Sequence, residues 1–156
     1  MARRRRADRR DIQPDLKYNS EVVACFITQM MRKGKRSVAE RIIYDALGEV
    51  ENKLDGDPVE IFETAIDNVR PQLEVKSRRV GGATYQVPLE VSSDRGRSIG
   101  MRWLIQFSKG RKGVPMSKAL ATELIDAYNE TGAAIKKRDD THKMAQANRA
   151  FAHYRW

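Results

Sequence analysis

Six arginines fall within eight positions near the start of this 156-residue chain: Arg3, Arg4, Arg5, Arg6, Arg9 and Arg10. A guanidinium stays charged and presents a planar fork that bonds two phosphate oxygens at once, so the chemistry on offer is polyanion binding. Such a run also reads as a solvated tail or a localisation signal. Nucleic acid is favoured, because arms of this kind order along a groove on binding. A second group, Lys76, Arg78 and Arg79, precedes the Gly81-Gly82 turn, and Tyr85 follows it. Cations and one ring on a projecting ribbon can reach phosphates and stack a base. The alternative is a charged edge that only discourages strand pairing. A third group, Arg32, Lys33, Lys35 and Arg36, surrounds Gly34. Gln29 stands where a nucleotide-binding loop needs its upstream glycine, and no strand precedes it, so nucleotide hydrolysis is rejected. As a phosphate-contacting corner or a solvated turn the segment reads equally well. Arg95, Arg97 and Arg102 open a later helix, with Lys109, Arg111 and Lys112 after it.

No set of residues suggests catalysis. Cys25 is the only cysteine and reads as a small core residue; the two histidines, His142 and His153, lack the short spacing of paired metal ligands. No metal site and no cofactor is expected, and Asp139 and Asp140 have no companion base. The start lacks the apolar stretch of a secretory signal, and no run has the length of a membrane span. A cytoplasmic protein with no membrane partner is therefore expected.

The formal charge of +9 is unevenly spread. Residues 1–36 hold 11 basic and 4 acidic side chains, whereas residues 37–69 hold 2 basic and 9 acidic. The remaining two stretches, 70–97 and 98–156, are again basic. A polyanion would be drawn to the flanking blocks and repelled by the middle one.

These groups need a frame. About 40% of the residues are apolar, enough for one core. The periodicity predicts a single, mostly α domain of six helices with a protruding two-stranded β-hairpin between helices three and four. Residues 1–19 read as a basic arm, 20–151 as the helical domain with its hairpin at about 72–91, and 152–156 as a tail. Ser20 caps helix one, with Val22, Val23, Phe26, Ile27, Met30 and Met31 inward. Ser37 and Glu40 form a capping box for helix two, and Asp57-Pro58 starts helix three. Helix four is read with Ile99, Trp103 and Phe107 inward, and helix five with Met116, Leu120, Leu124, Ile125 and Tyr128. Helix six runs from about Ala134 to Ala150. An isolated ribbon is marginally stable, so its tip is expected to be mobile until a partner orders it. The ending His153, Tyr154, Arg155 and Trp156 reads equally as an anchor for RNA or a neighbouring protein and as a segment packed on its own domain.

Taken together, the arm, the corner Gly34-Lys35-Arg36, the ribbon from Ser77 to Pro88 and the ending from Ala145 to Trp156 resemble the bacterial small-subunit ribosomal protein seven family. The resemblance covers essentially the whole chain and is most specific in the ribbon. It implies direct, early binding to the 3′ major domain of small-subunit rRNA and nucleation of head assembly. It also implies a hairpin near the tRNA exit site and the mRNA path, neighbours that include small-subunit protein eleven and head proteins, and, in many bacteria, repression of the protein's own operon. RNA contact carries over onto Arg3, Arg4, Arg5, Arg6, Arg9, Arg10, Lys35, Arg36, Lys76, Arg78, Arg79, Tyr85 and Arg95. A DNA-binding regulator and an RNA-processing enzyme are the rival readings.

Overall fold

The computed structural model describes residues 11–154, so the arginines of the arm, Arg155 and Trp156 lie outside the described residues. Six α-helices follow one another: α1 Glu21–Met30, α2 Arg36–Glu51, α3 Pro58–Val69, α4 Ser93–Gly110, α5 Met116–Tyr128 and α6 Gly132–Ala147. A hairpin of β1 Leu73–Val80 and β2 Ala83–Glu90 separates α3 from α4, and a short 3-10 helix, Arg149–Tyr154, follows α6. The predicted architecture holds, with this last turn added.

The core forms where the helical period places apolar side chains. Val23, Phe26 and Ile27 of α1 meet Ile43, Leu47 and Val50 of α2 and Phe62, Ile66 and Val69 of α3. Phe26 and Phe62 pack edge to face, centroids 5.1 Å apart and planes at 87°, a geometry worth about 1 kcal/mol beyond the area it buries. Trp103 is half-buried at the margin of this core. So is Cys25, whose thiol burial pushes up, away from thiolate reactivity.

Two helix starts follow the sequence signals. Ser20 Oγ accepts from the Val23 amide, and the Asp57 carboxylate accepts from Val59 ahead of Pro58. The capping box does not form. Lys33 and Gly34 adopt positive φ (52° and 75°) and the Arg36 amide bonds back to Gly34, so α2 begins at Arg36, two residues ahead of a Ser37-capped start, and Ser37 lies inside it. Glu40 accepts instead from Arg36 Nε at 2.7 Å.

Helix α4 presents a different face from the one expected. Gly96, Gly100, Met101, Leu104, Ile105 and Ser108 are buried, while Ile99, Trp103 and Phe107 sit at the margin. The glycines are the reason. A β-carbon at Gly96 would stand 2.8 Å from Arg70 Cγ and 3.1 Å from the Pro71 carbonyl; one at Gly100 would stand 3.4 Å from the Ile66 carbonyl. Their absence lets α4 lie directly on the end of α3.

Helix α5 touches α2, α3, α4 and α6. It buries Leu120, Leu124 and three alanines, whereas Tyr128 is exposed. It also buries a charge. Glu123, 1% exposed, accepts from Arg111 Nη2 at 2.8 Å and from the Ala134 amide at 3.0 Å. One carboxylate thus satisfies an orphan donor at the start of α6 and anchors the basic loop after α4. Glu123→Ala is expected to lower stability by about 2–3 kcal/mol, since a buried amide and a guanidinium lose their shared acceptor; urea unfolding of the two proteins measures it.

Candidate nucleic-acid interface

The ribbon is built by its turn. Gly81 and Gly82 both take positive φ (57° and 90°), the requirement of a two-residue turn that matches strand twist. Its register sets Val80 opposite Ala83, Arg79 opposite Thr84, Arg78 opposite Tyr85 and Lys76 opposite Val87. Directly opposed residues share a face, so Lys76, Arg78, Tyr85 and Val87 lie on one side and Ser77, Arg79, Thr84 and Gln86 on the other. The second side is exposed, and Ser77 and Gln86 are hydrogen-bonded across it. On the first side Val87 is fully buried.

Tyr85 is already engaged. Its ring lies 5.2 Å from those of Phe151 and Tyr154, so the 3-10 helix packs on the ribbon. Of the two readings of the ending, the described part follows the one that folds back. The ribbon root is fixed as well: the Gln72 amide donates to His142 Nε2 of α6 at 3.0 Å.

The remaining cations are held in distinct ways. Lys35 and Arg36 are exposed at the corner, Arg36 turned toward Glu40. Lys76 lies toward the root of the ribbon, not at its tip, and pairs with Glu74 at 3.1 Å. Arg95, from the first turn of α4, grips the same carboxylate through Nε and Nη2 at 3.1 and 2.9 Å. Arg79 is exposed beside the turn, and Arg78 is half-buried. Arg111 serves the fold, bonded to Glu123 and to Asp126.

A further cluster emerges only in three dimensions. Gln29 and Arg32 at the end of α1 line one groove with Arg102, Gln106 and Lys109 of α4. Burial, with the Arg32 charge beside it, pulls the Lys109 ammonium below its ordinary pKa. No salt bridge joins these three cations to a carboxylate among the described residues. The available signal was the spacing of Arg102, Gln106 and Lys109, which puts them on one side of a helix. The acids of the middle block lie on α2, α3 and the turn between them.

At the N-terminal approach, Asp15 is 3% exposed and accepts from the Lys17 and Tyr18 amides and from the Tyr44 hydroxyl at 2.6 Å. Burial and this bond push the Tyr44 phenol up to about 12. The chain leading from the arginine arm is thereby fastened to α2. No cluster of three potential metal ligands occurs among the described residues, and no described helix is long and apolar enough to cross a membrane.

A helical body with a cationic ribbon, corner and groove defines a binding protein of the ribonucleoprotein class. A family model for ribosomal protein S7p/S5e matches residues 2–149. The chain is 58% identical to small ribosomal subunit protein uS7 of Anaeromyxobacter sp. (strain Fw109-5) and of Acaryochloris marina, and 54% identical to that of Arthrospira platensis, each over the full length of both chains. The chain belongs to this family of small-subunit ribosomal proteins, which are structural components and not enzymes, and its place is the ribosome in the cytoplasm.

The His142 contact gives the ribbon root a pH dependence. Burial, aided by Arg138 and only partly opposed by Asp139, holds the imidazole below its ordinary pKa of about 6.5. With the folded value depressed, the unfolded chain takes up the proton first. Stability from this group is complete above about pH 6.5 and declines as pH falls toward the folded value. Thermal melts between about pH 7 and pH 5.5 should show a decline that His142→Gln reduces.

Proposed function

We propose that the chain binds the 3′ major domain of small-subunit rRNA directly and nucleates assembly of the subunit head. In this reading the arm (Arg3, Arg4, Arg5, Arg6, Arg9, Arg10), the corner (Lys35, Arg36), the ribbon (Lys76, Arg78, Arg79) and Arg95 neutralise phosphates, and the groove of Arg32, Arg102 and Lys109 joins them. The hairpin faces the tRNA exit site and the mRNA path. The C-terminal segment lies toward protein eleven, and the free protein represses its own operon. The ending His153, Tyr154, Arg155 and Trp156 contacts a neighbouring protein or RNA strand in this reading. Family membership supports the rRNA assignment. The observation that carries it is the convergence of Arg32, just past α1, with Arg102 and Lys109 of α4 in one groove without described counter-charges.

The mechanism is passive. Phosphate neutralisation releases condensed counterions, and specificity follows the shape of an RNA junction, because the deep groove of A-form RNA is too narrow for side chains to read. Tyr85 contributes to base stacking once Phe151 and Tyr154 yield its face.

Affinity for a junction fragment of small-subunit rRNA, measured from about 50 to 200 mM salt, should fall by about three orders of magnitude or more if six or more phosphates are contacted. A flat response removes the phosphate-dominated account, and equal competition by duplex DNA removes shape reading. Arg78→Ala combined with Arg79→Ala should weaken binding about tenfold or more with little change in melting temperature. An equal loss in both would make these residues structural.

A further inference from the structure

Glu74 occupies an unexpected place for an anion. It lies on β1 among the cations of the ribbon root, with its side chain only 16% exposed, and it binds two of them at once. Arg95 reaches it from α4 with one edge of the guanidinium, Nε and Nη2, and Lys76 reaches it from the same strand. Burial disfavours the charge on Glu74, but the hydrogen bonds from Arg95 and Lys76 outweigh it, and the carboxyl is held below its ordinary range.

Two consequences follow. The triad carries a net charge of +1 in place of +2, so any loosely bound polyanion finds less attraction there. Both cations remain about half exposed, at 54% and 47%, but their heads are fixed relative to each other. Lys76 keeps donors beyond the one Glu74 takes, and Arg95 keeps the Nη1 side of its fork. A carboxylate that only solubilised the ribbon would sit in water; this one is turned inward and shared between two elements.

We propose that Glu74 is a specificity-determining residue for RNA: it suppresses binding of unstructured strands while setting Arg95 and Lys76 at the spacing that a folded junction's phosphates require. The proposal rests on the RNA-binding reading above and goes beyond it, since that reading concerns which cations bind and not which anion tunes them.

The test compares wild type, Glu74→Gln and Glu74→Asp on two probes: a junction fragment of small-subunit rRNA and single-stranded poly(U) of the same length. Glu74→Gln restores the missing positive charge and loosens the grip, so poly(U) affinity should rise about threefold to tenfold, with a salt slope steeper by about 0.7 for one added phosphate contact. Junction affinity should stay level or fall, and the preference for junction should therefore shrink. Glu74→Asp keeps the charge but shortens the reach, so poly(U) affinity should stay near wild type while junction affinity falls. Equal changes on both probes in Glu74→Gln, or no change on either, would overturn the proposal. So would an Asp variant that matches wild type on the junction. Melting temperatures of the variants report any loss of fold, and in that case the Asp variant, with its charge retained, decides. A wild-type protein with no preference for the junction would instead defeat the RNA-binding reading itself.

Discussion

Like charges repel, and gathering them in one place requires a frame that resists the repulsion. Burial first, and the Arg32 charge beside it second, hold the Lys109 ammonium below its ordinary pKa. Lys109 lies on α4 and Arg32 just past the end of α1, so what holds them together is the packing of α1 and α4 over a shared core. A flexible chain with the same composition would spread these cations apart in water. The core is therefore what keeps Arg32 beside Arg102 and Lys109, and in the proposed reading an incoming phosphate backbone relieves their repulsion.

The frame achieves this with few specialised contacts. Glycines at 96 and 100 allow α4 to lie on α3 at backbone distance, and so set where Arg95, Arg102 and Lys109 emerge. Glu123, buried in α5, ties the loop after α4 to the start of α6. From α6, His142 holds the root of the ribbon, and the 3-10 helix that follows covers Tyr85. The placement of the ribbon thus depends on a chain of contacts that leads back to α5. Anions are used sparingly among the cations, and each positions something. Asp15 fastens the approach to the arm, and Glu74 draws together two elements.

Much of the frame was legible in the sequence, for physical reasons that can be named. Two glycines between alternating strands admit few structures other than a tight hairpin, and Ser20 and Asp57-Pro58 are strong helix starts. The face of α4 was not legible, because a search for large apolar side chains passes over glycines, whose effect is to let another backbone approach. The capping box failed for a local reason, the positive-φ turn at Lys33 and Gly34, which takes the chain into the helix before Ser37. In the site, each basic segment was evident by itself. That Arg32 joins Arg102 and Lys109 was not, since only the packing of α1 on α4 brings them together. The same holds for Arg95, whose partner lies on the ribbon, and for Tyr85, whose partners come from the end of the chain. Residue types declare the chemistry on offer; tertiary packing decides which groups share it.

If the cations act as one surface, one side of this body meets RNA and the acidic side does not. In a Cys25→Ser background, a hydroxyl-radical source can be tethered through Gln106→Cys, in the cationic groove, or through Glu60→Cys, on acidic α3. With the protein bound to small-subunit rRNA, the account predicts strong, localised strand cleavage from position 106 and background cleavage from position 60. Cleavage of equal strength from both positions, or stronger cleavage from position 60, would contradict it.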